Sequence, residues 1–180
     1  MSGQPADGTD QGEIPFGLLW GIKRSFLAYV RRMPDGQGSI HDGAVPLPDD
    51  TILFPVAEGT VAVSAAGTGN EDGAGHSWAF RGDVRFRGHA GMLFVRVAAP
   101  LVTVRGDRAE MSIGDPYARA DADRVPLVTL RVEPGPAPEG AQVWLGSDVR
   151  LTRAGSELFN DVYQPGEPFE QLSIILPARS

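Results

Sequence analysis

Three side chains of this 180-residue chain are candidates for chemistry: Tyr29, His89 and Tyr163. A phenol can donate a hydrogen bond or, once ionised, act as an anionic oxygen donor. An imidazole can carry a proton near neutral pH or bind a metal. Tyr29 follows Ile22 and Phe26 at helical spacing, on what the pattern makes the inner face of a helix, where a phenol is out of place. It reads either as a core aromatic whose hydroxyl finds a backbone partner or as a functional group. His89 is bracketed by Gly88 and Gly91 at the end of the clearest strand pattern, so the backbone there can turn sharply and approach a neighbour closely. A structural or solvent-facing turn histidine fits the same pattern. Tyr163, in Val162-Tyr163-Gln164-Pro165-Gly166, has the setting of an ordinary turn.

Other reactive groups form no pattern. The chain has no cysteine, which removes disulfides, thiolate metal sites and a cysteine nucleophile. His41, His76 and His89 have no metal-ligand spacing among themselves. Phosphate loops, His-Glu-x-x-His and Gly-x-Ser-x-Gly are missing from the sequence. Glu71 and Asp72 lie in a glycine-rich stretch, 65–76, that reads as a flexible connection more readily than a calcium loop. A net charge of -7 argues against a general nucleic-acid or anionic-membrane surface. No run approaches the roughly 20 apolar residues of a membrane span.

The elements that must position these groups are mostly strands. The one amphipathic helix is expected over Phe16 to Arg32, chiefly 18–31, with Leu18, Ile22, Phe26, Tyr29 and Met33 along its inner face; Pro34-Asp35-Gly36 stops it. Trp78 to Phe86 alternates apolar and charged residues, the pattern of one half-buried strand. Shorter strands are expected at 51–56, 60–64, 92–98, 101–104 and 109–113, with a hairpin at Gly106-Asp107. Others follow at 125–132, 143–145, 149–151 and 172–176, and Thr152 caps a short helix to Asn160. The 23 glycines and 15 prolines fit so many turns. The fold class is therefore all-β, a mainly antiparallel sandwich or open barrel, with an N-terminal amphipathic helix and a short helix near the C-terminus. Residues 1–14 read as a disordered lead-in and 15–180 as one domain.

Three separated segments carry a resemblance. Gly17, Trp20, Gly21, Lys23, Ser25, Phe26, Tyr29 and Val30 resemble the opening of the HtaA domain, a haem-transport-associated family of actinobacterial surface proteins. Val84-Arg85-Phe86-Arg87-Gly88-His89-Ala90-Gly91 resembles the family's Val-x-Phe-x-Gly-His-x-Gly segment, and Phe159 to Leu176, with Tyr163-Gln164-Pro165-Gly166, its closing pattern. The match runs from about residue 16 to 177.

The resemblance implies a protein that reversibly binds haem, as Fe(III) protoporphyrin IX, in uptake, relay or storage and without catalytic turnover. It implies Tyr29 as axial ligand, His89 hydrogen-bonded to that phenol, Tyr163 near the pocket, and Phe26 and Ile22 in an apolar wall. Phenolate is a hard anionic donor suited to ferric iron, and tyrosine is an established haem ligand. Other haem carriers are the expected partners. Lys23, Arg24, Arg81, Arg85 and Arg87 are candidates for the propionates, with a solvated charged face as the alternative. Rival readings are a module for another apolar ligand, an interaction domain in which the three residues merely pack, and, least supported, an enzyme. As written, the chain lacks an export signal or anchor and is expected to be cytoplasmic, or extracellular or at the cell surface if a leader has been removed.

Overall fold

The alternating run from Trp78 to Phe86 buries its apolar members, as its period requires, but the chain does not use it as one strand. In the computed structural model, which describes residues 13–58, 60, 75–118 and 123–178, it divides into β5 (His76–Ala79) and β6 (Asp83–Gly88). β6 turns back into β7 (Leu93–Ala98), and β7 continues into β8 (Leu101–Arg105). β5 pairs with β8 and β6 with β7, so residues 76–105 form one long antiparallel ribbon. It bends at a corner where the Ala99 N–H donates to the Gly82 carbonyl at 2.8 Å. Gly82 has φ 129°, and a Cβ there would lie 2.9 Å from both Ala44 Cβ and Phe54 Cδ1. Only glycine fits that corner, and a strand that switches sheets at a bend is the reason the single-strand reading fails.

The ribbon's base belongs to a nine-stranded sheet ordered β3-β4-β1-β12-β11-β10-β9-β8-β5, and its tip to a three-stranded sheet ordered β2-β6-β7. The other strands are β1 (Gly17–Trp20), β2 (Gln37–His41), β3 (Val45–Pro46), β4 (Ile52–Pro55), β9 (Arg108–Gly114), β10 (Arg124–Gly135), β11 (Ala141–Leu151) and β12 (Leu172–Pro177). Neighbours pair antiparallel throughout the described residues. One isolated bridge, Val56 to Phe80, reaches between β4 and the end of β5, and the large sheet does not close into a barrel. Leu18, Trp20, Phe54, Phe80, Met111, Ile113 and Ile174 are among the side chains fully buried in the core.

Helix α1 is Arg24–Arg32, not 16–32. Residues 17–20 are strand β1, hydrogen-bonded between β4 and β12, so Leu18 and Ile22 share no helical face with Phe26. Ile22 has φ 57°, which ends the extended run before the helix begins. Pairing on both edges outweighs a helical pattern that a short apolar run can imitate. α1 lies over the core through Phe26, Leu27 and Val30. Its first turn is held from outside: Glu170 Oε1 accepts from Arg24 N at 3.1 Å, and Lys23 Nζ donates to the Pro168 carbonyl at 2.9 Å. A carboxylate at a helix N-terminus also complements the helix dipole, as Arg31 and Arg32 do at the other end.

The 106–107 hairpin joins β8 to β9 as expected, and Thr152 caps helix α2 (Arg153–Leu158) by accepting from Gly155 N at 2.9 Å. The two strands expected at 143–145 and 149–151 are parts of β11. The lead-in at 1–12, the expected strand 60–64 beyond Thr60, and most of the glycine-rich stretch lie outside the described residues.

Candidate functional site

α1 turns Phe26, Leu27 and Val30 inward, and this leaves Tyr29 on its flank, 43% exposed, instead of at the centre of the inner face. The phenolic oxygen is not bonded to backbone. It lies 2.5 Å from His89 Nε2, with the two rings tilted at 48° and their centroids 5.8 Å apart. When the phenol is protonated, its O–H donates to an unprotonated Nε2; when it is ionised, Nε2–H donates to the oxygen.

His89 opens the turn at the ribbon's tip. That turn is left-handed at three consecutive residues, His89 (φ 49°), Ala90 (φ 55°) and Gly91 (φ 90°). Left-handed backbone costs a residue with a Cβ roughly 1–2 kcal/mol, so two such residues in a row need support. Asp35, just past the end of α1, supplies hydrogen bonds: Oδ1 accepts from His89 N at 3.1 Å and Oδ2 from Ala90 N at 2.7 Å. The Ala90 amide first, and then, against partial desolvation, the His89 amide hold the Asp35 carboxyl below the usual carboxylate range. Gly88 is extended, and its role is space: a Cβ there would approach Met33 Sδ to 2.7 Å. The ribbon tip can therefore pack directly on the end of α1. Asp35 escaped the sequence reading because Pro34-Asp35-Gly36 looks like a helix stop and nothing more.

The other sequence candidates pack against other partners. Ile22 is 0% and Phe26 3% exposed; Phe26 packs edge-on against Phe86 and Phe159, at 5.2 and 5.1 Å between centroids. Both are core residues, Phe26 on the inner face of α1 and Ile22 just before the helix begins. The Tyr163 ring packs on Phe159 and Phe169, with Lys23 Nζ 5.0 Å above it, at the N-terminal end of α1. Exposed Met92 follows the His89 turn directly and was not singled out from sequence. Tyr29 and His89 are both exposed, so the pair stands at the surface.

The arginines of the small sheet have a structural task. Asp83 is only 1% exposed, and Arg85 and Arg96 each reach its Oδ2 at 2.8 Å. Burial opposes ionisation of Asp83, but the hydrogen bonds and charges of the two arginines outweigh it and hold the carboxyl at about 2. Arg87 lies 5.4 Å from the Phe94 ring, a cation–π contact. Among the described residues, no three His, Cys, Asp or Glu side chains are grouped to hold a metal ion, and no helix is long and apolar enough to cross a membrane.

The fold recurs in solved structures. The C-terminal domain of HtaA from Corynebacterium glutamicum superposes with a TM-score of 0.65 at 22% identity, covering 89% of this chain and 96% of that one. The N-terminal domain of the same protein gives 0.67 at 19% identity, with 89% and 96% covered. The heme-binding protein HtaB of that organism gives 0.60 at 17% identity, over 89% and 91%. No curated protein sequence matches the chain. The family model of HtaA (Htaa) matches residues 16–175, a span that takes in α1, the ribbon and most of the final strand, and the chain is a member of the HtaA family.

Proposed function

We propose that this protein binds ferric haem reversibly, as cargo in haem uptake, relay or storage and without turnover, with Tyr29 as the axial ligand and His89 as its hydrogen-bond partner. The observation that carries the reading is the exposed Tyr29 phenol, held by His89 Nε2 at 2.5 Å, in a chain of the HtaA family. The similarity to a heme-binding protein, HtaB, supports the same ligand.

The donor set fits this group better than a bare cation. The pair offers one oxygen donor, far fewer than a bare ion takes from a protein site. Haem would bring a ferric centre whose four equatorial positions are already filled, leaving an axial place for one protein oxygen. A phenol in water ionises near pH 10, so a protein that uses one near neutrality needs help. The bound ferric centre would supply most of it, and an Nε2–H of His89 would support the oxygen by donating a hydrogen bond to it. Phe26 holds α1 on the core, and buried Ile22 anchors the chain just before the helix. Tyr163 and Lys23 steady the start of the same helix. The open surface around Tyr29 leaves room for a flat ligand and for a second haem carrier beside it.

Titrating the purified protein with ferric haem tests the reading. A Soret band saturating at one equivalent per chain, and lost in Tyr29→Phe, is the expected result. Saturable binding of other apolar ligands in place of haem would move the assignment to a different binding module, and no binding at all would leave a domain for protein contacts.

A further inference from the structure

Asp35 ties the two halves of the Tyr29–His89 pair together. It follows Arg32, the last residue of α1, by three positions, and Gly36 N donates to the Met33 carbonyl at 3.1 Å to hold the link short. Its two carboxylate oxygens then reach across to the ribbon tip and take one N–H each, from His89 and from Ala90. Two successive amides converging on one anion form a backbone nest. Here the anion is a side chain, and the nest is the left-handed turn that aims the imidazole.

We infer that Asp35 is the positioning residue of the site: by holding the His89–Ala90 turn to the end of α1, it sets the His89 imidazole on the Tyr29 phenol. The side chain is exposed, so water can replace it as an acceptor without burying an unpaired group. Its loss therefore falls on the geometry of the turn and spares the core. A carboxylate is required because both oxygens must accept. Asparagine has the same shape but presents an NH2 to one of the two N–H donors. A role that depended only on shape would survive that exchange.

The effect on haem affinity rests on the haem reading above, whereas the effect on His89 belongs to the free protein, and the experiment separates them. In haem-free protein, nitrogen NMR of the His89 ring reports whether Nε2 is bonded to the phenol. Tyr29→Phe gives the signal of the unbonded ring. Asp35→Asn should move the wild-type signal toward it while leaving the thermal midpoint close to that of wild type. In ferric haem titrations, Asp35→Asn should weaken binding by up to about 10-fold, the lower end of what losing a supporting partner does. The double variant Asp35→Asn/His89→Ala should bind no more weakly than His89→Ala alone, because Asp35 acts only through the histidine. An Nε2 signal unmoved by Asp35→Asn but moved by Tyr29→Phe overturns the inference, and so does a loss that adds in full to that of His89→Ala. Should wild-type protein take up no haem, the reading of function fails, and the NMR comparison alone decides the role of Asp35.

Discussion

Tyr29 and His89 stand 60 residues apart in sequence, and their phenolic oxygen and Nε2 lie 2.5 Å apart at the surface, where α1 meets the tip of the 76–105 ribbon. Neither residue owes its position to the other. The helix is seated by Phe26 and the 168–170 loop, and the turn by Gly88 and Asp35. The two side chains can therefore be changed separately.

Tyr29→Phe keeps the ring and its packing and removes the oxygen, so ferric haem should be lost or released readily with the fold intact. His89→Ala leaves the oxygen in place and should weaken binding about 10–100-fold and shift the spectrum. The order is the test, read by absorption titration of both variants. Normal binding by Tyr29→Phe beside none by His89→Ala would make the histidine the ligand.

An anionic oxygen prefers Fe(III). Adding dithionite to the loaded protein should therefore loosen the hold of Tyr29 and speed transfer of haem to a competing apo-protein. Equal transfer rates before and after reduction, with an unchanged axial ligand, would contradict oxygen ligation.

Stability in acid should depend on Asp83. Its carboxyl is at about 2 in the fold, against an ordinary value of 3.8, so the folded state is favoured whenever the group is ionised. That contribution is complete above pH 4 and drains away as pH falls through 2; the difference is worth roughly 2 kcal/mol. Asp83→Asn should lower stability by a similar amount at pH 7 and flatten its dependence between pH 4 and 2. Denaturant unfolding at several pH values measures both, and an unaltered slope in the variant would rule Asp83 out.

Gly82→Ala puts a methyl group against Ala44 and the fully buried Phe54 at a φ of 129°. The expected cost is about 1–3 kcal/mol, visible as a lower denaturant midpoint. A variant as stable as wild type would mean that the corner can relax.

Local rules brought out those elements whose signals are local. The turn at Gly106-Asp107, the Thr152 cap and the apolar run of β12 are each specified by neighbouring residues, and each is found in place. The inward set Trp78, Phe80, Val84 and Phe86 was also legible, since burial follows the period whether or not the strand is continuous. What the pattern could not carry was the corner at Gly82, because a glycine inside an alternating run looks the same in a straight strand and in one that changes sheets. The start of α1 was hidden for a related reason: Leu18, Ile22 and Phe26 fall at helical spacing, yet β1 is claimed by partners at 52–55 and 172–175. Tyr29 and His89 could be linked in advance only through the family resemblance, and Asp35 not at all, since its partners are backbone amides 54 and 55 residues away.

The ribbon and the helix are completed at different points of synthesis. Among the described residues, 83–98 pair across their own turn and with β2, so the histidine's hairpin can zip as soon as it leaves the ribosome. α1 emerges earlier but waits longer, because β1 beside it needs β12, and its first turn needs Pro168 and Glu170. A nascent chain cut short before Glu170 would display its imidazole on a finished hairpin, with the phenol on a helix that nothing yet holds in place. The segment from Pro168 to Ile175 thus serves as a keystone, and a partner that recognised the paired side chains would ignore every copy cut short before it.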